Sequence, residues 1–219
     1  MNKLLYSLIT LLVISCATSK EIVDRPIIFD YEREELTRAY LMERYGIEQN
    51  SPTIKPQMIV LHWTVIPTLE ESFEAFNAPA LPNKRADIQQ AGALNVSSHF
   101  MVDRDGTIYR LMPETNMARH VIGLNHCAIG IENIGGTEDL PLTKAQLKSN
   151  IWLVEYLYQK YPIEYLIGHY EYTNFVNHPL WLEKDESYRT KKTDPGKYFM
   201  ERVRKATKNL NFKPIPKNP

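Results

Sequence analysis

Short segments of alternating or continuous apolar residues recur along the chain. In MIVLHWTV, residues 58–65, odd and even positions would face opposite sides of an extended strand. The segments SSHFMV, TIYRLM, AIGIENI and YLIGH have the length and composition of further strands. The Asp105-Gly106 pair between SSHFMV and TIYRLM is typical of a hairpin turn. The pattern therefore predicts several short strands, two of which form a hairpin.

Segments with helical spacing lie between these strands. Thr68 precedes one and Thr143 another, and each is followed three residues later by Glu or Gln, the pattern of a capping box. Apolar spacing predicts two more helices, over residues 30–46 and from 197 to about 209, and residues 78–92 are predicted as a loop. Strands interleaved with helices indicate a single α/β domain, with a central mixed β-sheet flanked by helices.

The overall charge of the chain bears on whether it binds nucleic acid. The 219 residues carry 26 basic and 26 acidic side chains, so the formal net charge is zero. A nucleic-acid-binding surface normally carries an excess of Lys and Arg, so no nucleic-acid partner is expected.

The amino terminus has the features of an export signal. Lys3 precedes an apolar stretch over residues 4–15 that is short for a transmembrane helix, and VISC follows. VISC resembles the lipobox of bacterial lipoproteins, which implies cleavage before Cys16, lipid attachment to Cys16, and a membrane-anchored location in the cell envelope, on the periplasmic or outer-membrane side. The alternative is an ordinary signal peptide with an incidental cysteine. Cys127, beside an apolar strand, is expected to be a buried thiol.

Four polar residues occupy positions that an ordinary apolar core disfavours. His62 and Glu132 interrupt apolar strands, His169 ends one, and Asp194 lies in the turn sequence KTDPG. Two imidazoles and one carboxylate would make a zinc site with one position left for water, as in catalytic zinc sites. These residues come from separate parts of the chain, so their spacing alone leaves the cluster a hypothesis.

Six motifs occur in the order typical of one family. IVLHWT, SSHFMVDRDGTIYRLMP, HVIGLNHCAIGIENIG, TKAQLKSNIWLVEYL, IGH and KTDPG resemble the type 2 N-acetylmuramoyl-L-alanine amidases, relatives of the peptidoglycan recognition proteins, over residues 58–199. The resemblance implies the fold of that family and a zinc ion held by His62, His169 and Asp194. It also implies catalytic roles for Glu132 and Lys192.

The resemblance implies hydrolysis of the amide between N-acetylmuramic acid and L-alanine, in peptidoglycan or muropeptides, for cell-wall turnover or remodelling. Glu132 would act as the general base, and Lys192 would stabilise the oxyanion. His120 and Asn125 are expected to contact substrate, whereas His99 is expected to be structural. Two alternatives stay open: a non-catalytic peptidoglycan-binding protein of the same fold, and a zinc hydrolase that cuts another amide.

The predicted organisation has four parts: a lipoprotein signal peptide (1–15), the lipidated Cys16 with a tether and an N-terminal helix (16–55), the zinc amidase domain (56–210), and a tail (211–219). The stretch from His169 to Asp194 is longer than in compact bacterial relatives and contains several aromatic residues. These residues would either line the substrate cleft or anchor the loop itself.

Overall fold

The computed structural model describes residues 20–82 and 91–217 of the chain. The predicted signal peptide, Cys16 and most of the predicted 78–92 loop lie outside the described residues. Among the described residues, no helix has both the length and the apolar composition needed to cross a bilayer.

A six-stranded mixed sheet forms the centre of the domain, with the strand order β1-β4-β3-β5-β2-β6. The strands are β1 (Ile22–Asp24), β2 (Met58–Trp63), β3 (Phe100–Val102), β4 (Ile108–Arg110), β5 (Ala128–Asn133) and β6 (Tyr165–Gly168). All neighbouring strands are parallel except the hairpin pair β3 and β4. The predicted mixed sheet and hairpin are therefore confirmed.

The helices follow the predicted caps. α1 (Tyr31–Tyr40) begins at Asp30 and continues as a π-helical turn (Leu41–Tyr45) that ends at Gly46 in the left-handed conformation. α2 (Leu69–Asn77) is capped by Thr68, and α3 (Lys144–Lys160) has the complete Thr143 and Gln146 capping box. α4 (Lys197–Ala206) precedes a short 3-10 turn (Lys208–Leu210).

Alternation along β2 assigns its side chains to two different cores. Ile59 and Leu61 pack with α3 and α4 on one face of the sheet. Met58 and Val60 pack on the opposite face with Tyr40 and Tyr45 of the N-terminal helical segment. His62 has the same parity as Met58 and Val60, so its ring projects from the face that the N-terminal segment covers.

The N-terminal segment is part of the domain rather than a separate tether. β1 pairs with β4, although its three residues are too few for a strand pattern in the sequence. In α1, the buried guanidinium of Arg33 donates hydrogen bonds to the backbone oxygens of Phe76, Asn77 and Ala78, at 2.9, 3.0 and 2.6 Å. A cation at this position satisfies the carbonyl groups that end α2. Arg33 therefore fixes the end of α2, whose Phe76 lines the cleft described below.

The long stretch after β6 is anchored by its aromatic side chains. It begins with a 3-10 helix (His169–Phe175) in which Tyr172 and Phe175 are buried in the core. Trp181 packs against Gly123, where an added Cβ would lie 2.6 Å from the indole ring. The anchoring interpretation is confirmed for these residues.

Cys127 is buried as a free thiol, and burial raises its pKa to about 12, as expected for a small core residue.

The predicted tail is not free along its described length, because the backbone N–H of Lys213 donates to the carbonyl oxygen of Glu164 and Phe212 packs on the sheet core. A chain end with these contacts extends the domain beyond residue 210.

Candidate active site

The carboxyl ends of three neighbouring parallel strands bring the site together. β5, β2 and β6 lie side by side, and His62 of β2 is paired in register with Glu132 of β5. His169 directly follows β6, and its neighbour Tyr170 donates a backbone hydrogen bond to the carbonyl oxygen of Asp194. This end of a parallel sheet is where α/β proteins commonly bind ligands.

His62, His169 and Asp194 converge on one point. The Nδ1 atom of His62 lies 2.9 Å from Nδ1 of His169 and 3.1 Å from Oδ2 of Asp194. His169 Nδ1 lies 3.0 Å from the same Asp194 oxygen. All three residues are buried, and these atoms are close enough to bind a single metal ion.

Burial and mutual contact tune the protonation of this cluster. Burial and the neighbouring His62 lower the pKa of His169 to about 4, so its imidazole is neutral at pH 7 and can act as a ligand. Burial alone would raise the pKa of Asp194, but the neighbouring His169 holds it below its ordinary value. The cluster therefore offers the neutral imidazole of His169 and the carboxylate of Asp194 beside the ring of His62.

His120 contacts His62 from the side opposite the cluster. Its Nδ1 lies 3.0 Å from His62 Nε2, and its Nε2 lies 3.1 Å from the carbonyl oxygen of Ala128. Burial lowers the pKa of His120 well below its ordinary value, which keeps the ring neutral. Both ring nitrogens thus have partners within the protein, and the half-buried residue also lines the cleft described below, so its contact with substrate stays a prediction.

Asn125 has a structural role that differs from the predicted one. It is fully buried, and its Oδ1 accepts hydrogen bonds from the backbone nitrogens of His120 and Val121 at 2.8 and 2.7 Å. Its amide nitrogen donates to the hydroxyl of Tyr45 at 2.9 Å. This side chain is enclosed and holds the His120 backbone, and its contact with a peptide stem stays a prediction.

The donor set fits a divalent cation. A neutral imidazole bears one N–H, and the hydrogen bonds around His120 direct the His62 proton to Nε2. His62 Nδ1 is then a lone pair that faces the Asp194 carboxylate at 3.1 Å. His62 Nδ1, His169 Nδ1 and Asp194 Oδ2 lie within 3.1 Å of one another, and N and O ligands of this kind suit zinc.

Glu132 and Lys192 lie beside this cluster. They line a cleft of about 590 Å³ together with the three converging residues. Glu132 is buried, whereas Lys192 is half-buried and Lys191 is exposed. Side chains two residues apart in an extended segment point the same way, which puts Lys192 on the same side as Asp194.

Part of the lining of the cleft is apolar. It comes from the end of β2 and the connection that follows, from α2 and from the segment before β3: Trp63, Val65, Ile66, Ala75, Phe76 and Val96. A cleft lined by both polar and apolar side chains is suited to a substrate that combines amide and hydrocarbon groups.

Two buried asparagines support the site, and sequence analysis did not single them out. Asn133 donates to the carbonyl oxygen of His62 at 3.0 Å, and Asn150 of α3 donates to Oδ1 of Asn133 at 2.6 Å. This link ties the end of β2 to α3 and limits movement of His62. The available signal was an amide residue inside each of two apolar patterns, which indicates a hydrogen-bonded pair in a core.

His99 is structural, as expected. It is buried, accepts a hydrogen bond from the backbone nitrogen of Gly130 at 3.0 Å, and has its Nε2 2.8 Å from the carbonyl oxygen of Asn116. Its contacts fix the middle of β5 two residues before Glu132.

Comparisons with known proteins agree with this geometry. The endolysin of Escherichia phage T7 is 34% identical over 88 residues, which cover 38% of this chain and 58% of the endolysin. The match therefore spans less than two thirds of that relative. The N-acetylmuramoyl-L-alanine amidase LysC from Clostridium intestinale URNW superposes with a TM-score of 0.51 at 26% identity, over 89% of this chain and 100% of LysC.

Bumblebee PGRP-SA shares the fold, with a TM-score of 0.50 at 18% identity over 90% of this chain and 100% of that protein. The predicted amidase-like and recognition-protein-like fold is therefore confirmed. The sequence profile of the family Amidase_2, described as N-acetylmuramoyl-L-alanine amidase, matches residues 51–197. Because this match includes every residue of the cluster and most of the chain, the protein belongs to the N-acetylmuramoyl-L-alanine amidase family.

Proposed function

We propose that the protein is a zinc-dependent hydrolase that cleaves the amide between the lactyl group of N-acetylmuramic acid and L-alanine. The observation that carries the proposal is the convergence of His62, His169 and Asp194 on the floor of a cleft that Glu132 and Lys192 also line. Family membership and the likeness to LysC support the same activity.

The three converging residues would hold the metal. Glu132 would transfer protons, and Lys192 would stabilise negative charge. A bound zinc ion supplies Lewis acidity and lowers the pKa of a bound water to about 7. Glu132 accepts the proton of the attacking water as the oxygen bonds to the carbonyl carbon. Its position beside His62 in the register of β5 and β2 places the carboxylate next to the cluster.

Lys192 is assigned to the carbonyl oxygen of the amide that is cleaved. Its ammonium group stabilises the negative charge that develops on the carbonyl oxygen in the tetrahedral state. Glu132 then returns its proton to the alanine nitrogen as the carbon–nitrogen bond breaks. The products are muramic acid with a free lactyl carboxyl group and a stem peptide with a free L-alanine amino terminus.

Product analysis tests this proposal. Purified cell walls and soluble muropeptides are incubated with protein that starts after Cys16, with zinc or with a chelator, and products are identified by mass spectrometry. We expect stem peptides with free L-alanine amino termini in zinc and none with chelator. Retention of the protein on walls without any cleavage would instead support the non-catalytic binding alternative, and a different new amino terminus would support another amide.

We also propose that lipid on Cys16 anchors the domain to a bacterial membrane, as the VISC sequence suggests. In cells fed an alkyne-tagged fatty acid, the parent protein should incorporate the tag and Cys16→Ser should not. Cys127→Ser is the matched control, because this cysteine is enclosed in the fold, and it should be labelled like the parent. Equal labelling of Cys16→Ser would contradict the anchor.

A further inference from the structure

The His120 ring is held in one orientation by contacts with three parts of the protein. Its backbone nitrogen is fixed by Asn125, 2.8 Å away, and its Nε2 by the Ala128 carbonyl oxygen, 3.1 Å away. The ring also lies directly on Gly130, where an added Cβ would be 2.8 Å from both Cγ and Nδ1 of His120. A ring flip would break these interactions, so the identity of each ring nitrogen follows from its partner.

The partners determine which nitrogen carries the proton. The Ala128 carbonyl oxygen is only an acceptor, so His120 Nε2 must be protonated and its Nδ1 must be an acceptor in the neutral ring. His62 Nε2, 3.0 Å from that acceptor, must then donate. The proton of His62 is therefore held on Nε2, and its Nδ1 lone pair faces His169 and Asp194.

We propose that His120 is a positioning residue that holds His62 in the tautomer able to bind metal through Nδ1, and so strengthens metal binding. This inference rests on the proposed function, since it concerns the same metal site. Metal-binding histidines usually donate their second N–H to a carboxylate, a carbonyl or water. In this chain the acceptor is a second imidazole, whose own tautomer is set by the backbone of β5.

Substitutions at His120 distinguish the effect of the Nδ1 hydrogen-bond acceptor from the effect of ring size. Phe keeps the ring size without any acceptor, whereas Asn keeps an acceptor near the position of Nδ1. Loss of such a partner typically weakens metal binding about 10- to 100-fold. We therefore expect zinc affinity to fall by about that factor in His120→Phe and to stay within a few-fold of the parent in His120→Asn.

Gly130→Ala gives an independent perturbation. It removes no polar group, but its Cβ would displace the His120 ring, because the nearest ring atoms lie at 2.8 Å. We expect weaker zinc binding in this variant as well. His126→Phe is the matched control, since His126 is a half-buried histidine of the same loop that packs on Tyr45 away from the cluster. It should bind zinc like the parent.

The experiment is a competition titration of the metal-free full chain in detergent, with zinc and a chromophoric chelator, for the parent and each variant. Long-range proton–nitrogen spectra of the 15N-histidine-labelled proteins give the tautomer of His62 directly. We expect His62 to be protonated on Nε2 in the parent and in His120→Asn, and to lose that preference in His120→Phe. Thermal midpoints identify any variant that fails to fold, in which case His120→Asn and Gly130→Ala carry the test.

Two outcomes overturn the inference in distinguishable ways. A parent that binds zinc, together with a His120→Phe variant that binds equally well and keeps the His62 tautomer, would overturn the positioning role and leave the proposed function standing. A parent that binds no zinc would overturn the proposed function, and the role of His120 in metal binding would fall with it.

Discussion

Replacement of Glu132 by Gln is expected to lower kcat by about 10²- to 10⁴-fold, the usual contribution of a general acid–base residue. Gln has the shape of Glu but cannot accept the proton of the attacking water at neutral pH. The residue lies in the central strand β5 and is buried, so an isosteric change should preserve packing. The measurement is the rate of release of stem peptide from a soluble muropeptide at saturating zinc and substrate.

Bound zinc and KM should change little in Glu132→Gln, because the carboxylate is assigned to proton transfer rather than to metal binding. Glu138→Gln provides the control, since Glu138 is an exposed acid in the loop that follows the same strand. It should retain the parent rate. A Glu132→Gln variant with more than about one tenth of the parent kcat would not be compatible with this role.

Replacement of Asp194 by Asn should abolish the stabilisation of the protein by zinc. A ligand that binds only the folded state at 1,000 times its Kd stabilises that state by about 4 kcal/mol. For a domain of this size, this energy raises the thermal midpoint by about 8–16 °C. The substitution removes the single carboxylate of the cluster, so the midpoint of the variant should hardly respond to zinc.

Without metal, the same variant should be no more stable than the parent. His169 Nδ1 lies 3.0 Å from the Asp194 oxygen and holds the pKa of this carboxyl below its ordinary value, so the charged form favours the folded state and its replacement by an amide loses that interaction. Asp185→Asn is the control, because Asp185 is an exposed acid of the same segment that accepts hydrogen bonds from Ser187. A zinc-induced shift in Asp194→Asn as large as in the parent would show that Asp194 is not a ligand.

The parts of the fold with strong local signals could be predicted from the sequence. Thr68 and Thr143 cap their helices as expected, and the alternation in β2 places His62 on one face and Leu61 on the other. These features depend on residues that are neighbours in the chain, so a local pattern is enough to reveal them. The convergence of His62, His169 and Asp194 instead required the motif order of a family, because the sheet joins distant segments.

Features that depend on long-range contacts could not be predicted in this way. β1 has only three residues, and it exists because β4 offers a free edge, 86 positions along the chain from Asp24 to Arg110. Asn125 was expected to meet substrate, but only the packing of Tyr45 over its loop shows that it is enclosed. The contact between His120 and His62 also depends on tertiary structure, since these residues lie 58 positions apart.

The site of water addition tests the central claim most directly. A soluble muropeptide is hydrolysed by the zinc-loaded protein in ¹⁸O-enriched water, and both product fragments are analysed by mass spectrometry. The proposed reaction puts one ¹⁸O atom in the lactyl carboxyl group of muramic acid and leaves an unlabelled stem peptide with a free L-alanine amino terminus. Label in a stem-peptide carboxyl group or at a sugar anomeric carbon would show that another bond is cut and would contradict the assignment.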